Sequence, residues 1–116
     1  MRNKGFETEQ LAANYLTAQQ LQLITQNFFN RRGEIDLIMR DQGTLVFIEV
    51  KYRSNNQFGH AVEAVSYQKQ QKIKQCATFY MQQQGLNAYN TDCRFDIVGI
   101  EGDLQQPKII WLKNAF

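Results

Sequence analysis

Charged side chains interrupt two apolar segments near the middle of the chain. The stretch from Gly33 to Arg53 reads GEIDLIMRDQGTLVFIEVKYR and carries Asp36, Glu49 and Lys51 among aliphatic residues. A charge in apolar surroundings is costly unless it is paired or bound to a metal ion. Two carboxylates and a lysine are also groups that can hold a divalent metal and stabilise the charge on a phosphate. These three residues are therefore candidates for metal-dependent phosphate chemistry, provided that the fold brings them together.

The stretch is expected to form two antiparallel strands around the turn DQG. Because side chains alternate along a strand, one face of the first strand should carry Glu34, Asp36 and Ile38, and the other Ile35, Leu37 and Met39. If Gln42-Gly43 is a two-residue turn, or Asp41–Thr44 a four-residue loop, Asp36 lies opposite Glu49. A three-residue loop would place the two carboxylates on opposite faces. The metal hypothesis therefore requires an even-numbered turn.

Two carboxylates that face each other repel unless one is protonated or a cation lies between them. Lys51, one pleat beyond Glu49, compensates in part, and a divalent metal would do so better. Mg²⁺, or Mn²⁺ in its place, takes octahedral oxygen ligands and leaves positions for water and phosphate. We expect Asp36, Glu49 and the carbonyl of Val50 to form half of that shell, with Lys51 stabilising charge on the attacked phosphate. The alternative is a structural ion pair on a solvated face of the sheet.

The first predicted helix, from about Lys4 to Ala18, offers a third acid. The residues expected on its packing stripe are Phe6, Glu9, Ala12, Ala13 and Leu16. Because a carboxylate on an apolar stripe needs a partner or a metal, Glu9 is a candidate member of the same cluster. The alternative is a salt bridge between Glu9 and a nearby Lys or Arg.

The whole chain limits the class of protein. It has 116 residues, 43% hydrophobic and 21% charged, and we expect one globular domain over residues 1–116. No apolar run reaches the roughly 18 residues that cross a bilayer, and the start lacks the apolar region of a secretory signal. Cys76 and Cys93 lack metal-ligand spacing, so two buried, reduced thiols of a cytoplasmic protein are expected. The net charge of +2 allows a nucleic-acid partner without requiring one.

The remaining elements are predicted from hydrophobic patterns and turn residues. A strand through LQLITQNFF precedes the hairpin, and an irregular stretch, SNNQFGHA, follows it. A second helix is expected from near Ser66 to Gln84, ended by Gly85, and then the strands RFDIVGI and KIIWL. The order αβββαββ, with a helical crossover after the third strand, predicts a mixed sheet with helices packed on it.

The hairpin resembles a nuclease signature. GEIDLI followed by FIEVKYR is similar to the PD-(D/E)xK nuclease superfamily, with Asp36 at its strand aspartate and Glu49-Val50-Lys51 at its acidic-x-lysine motif. Nearly the whole chain resembles the small bacterial YraN family of endonuclease-like proteins, also through GFETEQLAANYL, FGHAVEAVSYQKQQKI and RFDIVGI. Archaeal Holliday-junction resolvases share a helix Glu, which corresponds to Glu9. Ile35 stands where the superfamily name has proline.

This resemblance implies a restriction-endonuclease-like αβββαβ core and Mg²⁺-dependent hydrolysis of phosphodiester bonds in DNA. Branched or structured DNA is the expected substrate, because the chain has no separate domain for sequence recognition. Two alternatives remain open. One is a non-catalytic nucleic-acid-binding module of a DNA repair or uptake assembly, and the other is a protein-interaction domain whose hairpin charges are structural. A homodimer, which would supply two sites for two strands, also remains open.

Basic residues flank the acidic centre along the sequence. Arg31 and Arg32 precede the first hairpin strand, Arg53 ends the second, and Lys69 lies near the start of the second helix. Residues of this type contact the phosphates of nucleic acids. The alternative for each of them is a solvated surface charge.

Overall fold

The computed structural model describes residues 4–116. Its elements, in chain order, are the helix α1 (Lys4–Ala18), the strands β1 (Gln22–Asn30), β2 (Gly33–Asp41) and β3 (Thr44–Arg53), a 3-10 helix (Ala61–Ala64), the helix α2 (Tyr67–Gln83), and the strands β4 (Cys93–Glu101) and β5 (Lys108–Leu112). The predicted helices and strands are therefore all confirmed, with small shifts at their ends. The 3-10 helix is an element that the sequence analysis missed.

The five strands form one mixed sheet in the order β1-β2-β3-β4-β5. The pairs β1–β2, β2–β3 and β4–β5 are antiparallel, whereas β3 and β4 are parallel. The parallel pair requires a crossover connection, which the 3-10 helix and α2 provide. The result is a mixed α/β architecture consistent with a restriction-endonuclease-like fold, as predicted.

Each helix covers one face of the sheet. On the α1 side the buried cluster comprises Ala12, Ala13, Leu16, Leu21, Leu37, Met39, Val46, Ile48, Val98 and Ile100. On the α2 side it comprises Ile35, Ile38, Leu45, Phe47, Ile73, Cys76, Ala77, Tyr80 and Met81. The alternation predicted for the hairpin therefore holds from Leu37 onward, because Ile38 packs on the side opposite Leu37 and Met39.

The predicted alternation is wrong at Ile35, which packs in the same cluster as Ile38 and not with Leu37. The regular β2–β3 ladder ends at the pair Leu37↔Ile48. On the other side of β2, the edge strand carries Asn27 with φ of 53°. The strand is therefore irregular around Asp36, where it loses the regular pairing that enforces strict alternation.

The turn of the hairpin has the parity that the metal hypothesis requires. Asp41 pairs with Thr44, which leaves Gln42 and Gly43 as a two-residue turn, and Gln42 has φ of 57°. Such a left-handed conformation matches the twist of a tight hairpin. The paired ladder ends at Leu37↔Ile48, and Asp36 and Glu49 are the next residues of the two strands beyond it.

The first part of the crossover is fixed at two points. The Ser66 hydroxyl accepts a hydrogen bond from the Lys69 amide at 3.1 Å, which caps the start of α2. On β4, a Cβ added to Gly99 would lie 2.8 Å from Cγ1 of Val62, so the 3-10 helix packs directly on the strand at this glycine. Gly99 is the register partner of Lys51.

The structure bears on two predictions, the lack of a membrane-spanning helix and the burial of the two cysteines. No helix within residues 4–116 is long and apolar enough to cross a membrane. Cys76 is buried as predicted, but Cys93 is only half-buried because it lies at the first position of β4. Neither thiol forms a disulfide among the described residues.

Candidate active site

A cleft of about 280 Å³ opens between the start of α1, the β2–β3 hairpin and the first turn of α2. Its lining residues are Gly5, Thr8, Glu9, Glu34, Asp36, Glu49, Val50, Lys51, Tyr52 and Lys69. We call it the acidic cleft, because four of these residues are carboxylates. It contains every residue that the sequence analysis proposed for catalysis or metal binding.

Asp36 is held by the neighbouring strand. Its Oδ2 accepts a hydrogen bond of 2.8 Å from the main-chain amide of Val50, just beyond the last regular pair of the β2–β3 ladder. The side chain thus takes the place of a main-chain acceptor where the two strands part. This bond fixes the aspartate carboxylate next to Glu49, the residue that precedes Val50.

Glu49 carries a buried carboxylate, with only 5% of the residue exposed. Its Oε2 lies 3.7 Å from Nζ of Lys69. Among the groups that the structure describes, none forms a hydrogen bond to its buried Oε1. Burial, and next the neighbouring Asp36, raise the pKa of Glu49 from 4.5 to about 8, against the opposing effect of Lys69 and Lys51. Without a metal, this group therefore holds a proton at neutral pH.

Glu9 reaches the same centre from α1. Burial, followed by the charge of Asp36, raises the pKa of Glu9 from 4.5 to about 7, and a hydrogen bond from the side chain of Asn27 opposes the shift. Glu34 contributes a further, smaller repulsion. Among the Lys and Arg side chains that the structure describes, none forms a salt bridge with Glu9.

Lys51 and Lys69 are the two cations of the acidic cleft. Lys51 projects from β3 and Lys69 from the first turn of α2, and both lower the pKa of Glu49. Lys69, for which only a phosphate contact was predicted, therefore lies at the acidic centre. The structure brings Glu9, Asp36 and Glu49 together with both lysines.

The donor set suits a metal held by few protein ligands. Within residues 4–116, no three His, Cys, Asp or Glu side chains are arranged to hold a metal ion. Asp36 and Glu49 remain as a pair, and Mg²⁺ commonly takes one or two carboxylates while water and phosphate fill its other positions. The buried Oε1 of Glu49, which lacks a donor, is the kind of oxygen that a cation would satisfy. The residues fit Mg²⁺ or Mn²⁺.

The three arginines lie outside the acidic cleft. Arg31 and Arg32 are exposed in the turn between β1 and β2, and Arg53 is half-buried at the end of β3. Nε of Arg53 is buried and has no hydrogen-bond acceptor among the described residues. The structure therefore sets these arginines at two separate flanks of the hairpin, and does not gather them around the carboxylates.

Two residues of the centre carried weak signals in the sequence. Asn27 bonds to Glu9 and has a left-handed backbone, a conformation that asparagine tolerates better than most residues, so an Asn inside a predicted strand was the available clue. Glu34 lines the acidic cleft although it is exposed. Its position at the strand start predicted exposure, with a role at a second metal as the alternative, and the structure confirms the exposure.

Comparison with known proteins gives the family. The sequence model of the uncharacterised protein family UPF0102 matches residues 8–100, most of the chain. The chain belongs to this family. A UPF0102 protein of Colwellia psychrerythraea is 56% identical over 114 residues, covering 98% of this chain and 88% of the relative. A UPF0102 protein of Nitrosococcus oceani is 46% identical over 115 residues, covering 99% and 92%.

A UPF0102 protein of Vibrio cholerae is 47% identical over 114 residues, which cover 98% of this chain and 92% of the relative. The family identified from the hairpin and its flanking stretches is therefore confirmed. The matched residues 8–100 include Glu9, the hairpin and α2, and thus every residue of the acidic cleft except Gly5.

Proposed function

We propose that this UPF0102 protein is a cytoplasmic, metal-dependent nuclease that hydrolyses phosphodiester bonds in DNA, with Mg²⁺ or Mn²⁺ as its cofactor. One observation carries the proposal. A buried Glu49 carboxylate with an unsatisfied oxygen lies beside Asp36, and Lys51 lines the same acidic cleft. A protein that only binds phosphates gains nothing from clustered carboxylates.

Each residue of the acidic cleft has a role in this proposal. Asp36 and Glu49, with the carbonyl of Val50, hold the metal. When bound, the metal supplies Lewis-acid activation of water and neutralises phosphate charge. Lys51 stabilises the negative charge that grows on the attacked phosphate. Glu9 stands outside the carboxylate pair and accepts a proton from the attacking water.

The basic residues provide binding. In this proposal Arg31 and Arg32 at one flank and Arg53 at the other contact phosphates of the bound DNA. Branched or structured DNA is the proposed substrate, because recognition of shape needs only phosphate contacts. A homodimer would present two such clefts to two strands.

The test is a cleavage screen with Mg²⁺ and Mn²⁺ on single-stranded, duplex, flapped and four-way DNA. The wild-type protein should cut at least one of these substrates, and both Asp36→Asn and Lys51→Ala should cut it at least about 100-fold more slowly. Glu7→Gln is the matched control, because Glu7 is an exposed carboxylate outside the acidic cleft. Salt-dependent binding without cleavage of any substrate would favour a non-catalytic binding module instead.

A further inference from the structure

A second cavity adjoins the acidic cleft. It has a volume of about 380 Å³ and is lined by Phe29, Asn30, Gly33, Glu34, Lys69 and Lys72. We call it the Phe29 cavity. It shares Glu34 and Lys69 with the acidic cleft, so the two form one continuous depression.

The Phe29 side chain is not used by the hydrophobic core. Phe29 is 75% exposed on the edge strand β1, whereas its neighbour Phe28 packs against the α2-side cluster. Leaving an aromatic ring in water is unfavourable. A partner with a flat apolar face would cover this ring.

The surroundings of Phe29 are cationic. Lys69 and Lys72 project from α2 into the cavity and face one carboxylate, Glu34. Lys72 is exposed and forms no salt bridge with the side chains of residues 4–116. A purely apolar partner would remove water from these ammonium groups and offer them no hydrogen-bond acceptor. A ligand with both an anion and a flat ring could pair with the ammonium groups and also cover the Phe29 ring.

The walls of the Phe29 cavity are held in place before any ligand arrives. The side chain Oδ1 of Asn30 accepts a 2.8 Å hydrogen bond from the Arg32 amide, which shapes the turn. Gly33 has φ of +146°, and a Cβ there would lie 3.7 Å from both Cβ and O of Lys72. The start of β2 thus contacts α2 directly beneath the cavity.

We infer that the Phe29 cavity binds one unpaired nucleobase of a single-stranded segment, with the base stacked on Phe29 and the adjoining phosphate at Lys72. This inference rests on the proposed nuclease function and names its substrate class as DNA that is unpaired next to the cut phosphate. Inside a duplex each base is already stacked on both faces, so only an unpaired base can meet the ring. Stacking on aromatic side chains tolerates any base.

Binding is measured in EDTA, where no cleavage can occur, with a fluorescein-labelled single-stranded oligothymidylate of about 15 nucleotides. Phe29→Leu keeps an apolar side chain and removes the ring, and it should bind at least about fivefold more weakly, the lower end for one stacked base. Tyr89→Leu is the control, since Tyr89 is 99% exposed and lines no part of either cavity. It should bind as wild type does.

Combining the Phe29→Leu variant with abasic DNA distinguishes a lost stacking contact from a general loss of DNA affinity. Replacing nucleotides one at a time by an abasic residue should weaken wild-type binding at one position and leave Phe29→Leu unaffected there. Equal affinity of Phe29→Leu and wild type for the oligonucleotide would overturn the inference. The inference would also be overturned if Phe29→Leu changed only the oligomeric state, measured by sedimentation, and not DNA binding. That result would assign the ring to a contact between two copies of the chain.

The same proteins are then tested for cleavage with Mn²⁺, which keeps the two proposals distinct. If Phe29→Leu weakens binding but wild type cuts no DNA, the base site is supported and the nuclease function is refuted. If Phe29→Leu binds and cuts DNA as wild type does, the nuclease function is supported and the base site is refuted. If both hold, DNA with an unpaired segment should be cut faster than a fully paired duplex of the same length.

Discussion

The main-chain amide of Val50 donates a 2.8 Å hydrogen bond to Oδ2 of Asp36. The Asp36 carboxylate is thereby bound to β3, the strand that carries Glu49. The two carboxylates cannot move apart unless this hydrogen bond breaks. Burial, and next the charge of Asp36, raise the pKa of Glu49, so the metal-free protein holds the two acids together with a proton on Glu49.

Asp36→Asn should separate stability from chemistry. The substitution is nearly isosteric and its amide oxygen can still accept from Val50, while the charge beside Glu49 is lost. We expect the metal-free variant to be as stable as wild type or more so at neutral pH, measured by urea unfolding in EDTA. Affinity for DNA should change by only a small factor. A marked loss of stability would identify Asp36 as part of a structural ion pair.

Lys51→Ala should act on the reaction and spare the metal ligands. Both carboxylates remain, but the cation next to the phosphate is removed, so cleavage should fall at least about 100-fold. DNA affinity, measured by fluorescence anisotropy, should stay close to that of wild type. Lys113→Ala, an exposed lysine beyond β5, is the control and should retain full cleavage. Equal losses in the two variants would refute a special role for Lys51.

Stability of the metal-free protein should decrease as the pH rises from about 4.5 to about 8. Glu49 has a pKa of about 8 and Glu9 of about 7 in the folded protein, against 4.5 ordinarily. The folded state therefore keeps protons that the unfolded chain has released, which means that stability is lost as these protons dissociate. Unfolding free energies across this range should show the fall, and Glu49→Gln should reduce it. A flat profile for wild type would contradict the raised pKa values.

Binding of Mn²⁺ should release protons and strengthen as the pH rises toward about 8, because the metal competes with the proton on Glu49. Calorimetry in buffers of different ionisation enthalpy measures the protons released. Bound metal should also raise the melting temperature of wild type and have little effect on Asp36→Asn. An equal rise in both proteins would locate the bound ion elsewhere.

Removal of Arg31, Arg32 and Arg53 should weaken DNA binding and reduce its dependence on salt. If each contacts a phosphate, each Ala substitution should lower the slope of log K against log[salt] by roughly one. Arg40→Ala is a matched control, because Arg40 is exposed toward the other end of β2. An unchanged slope in the triple variant would show that these arginines are solvated surface charges that do not contact phosphates.

The fold and the pairing of acids were accessible from the sequence because both depend on local rules. Alternation placed Leu37 and Ile38 on opposite faces, and the two-residue turn Gln42-Gly43 set a register that ends at Leu37↔Ile48, one residue before Asp36 and Glu49. The bond from Val50 to Asp36 was not accessible, since it forms where the ladder ends and alternation fails at Ile35. Side-chain competition for main-chain donors depends on three-dimensional packing, which the pattern of residue types does not record.

The contact between Lys69 and Glu49 was also not predictable from the sequence. Its place near the start of α2 suggested a contact with phosphate, but the approach of α2 to β3 brings its ammonium group within 3.7 Å of Glu49. The chain that leads into α2 packs closely on β4, where a Cβ on Gly99 would lie 2.8 Å from Cγ1 of Val62. A contact that depends on the path of a whole crossover cannot be read from the residues at its two ends.

The strands lie in the sheet in the same order as in the chain, and only the pairing of β3 with β4 spans the α2 crossover. Contacts between neighbours in sequence form fastest during folding, because their loops lose less entropy on closing. We therefore expect the β1–β2–β3 meander to form early. Asp36 and Glu49 both belong to it, so the folding chain brings its two repelling acids together before the parallel pairing that completes the sheet.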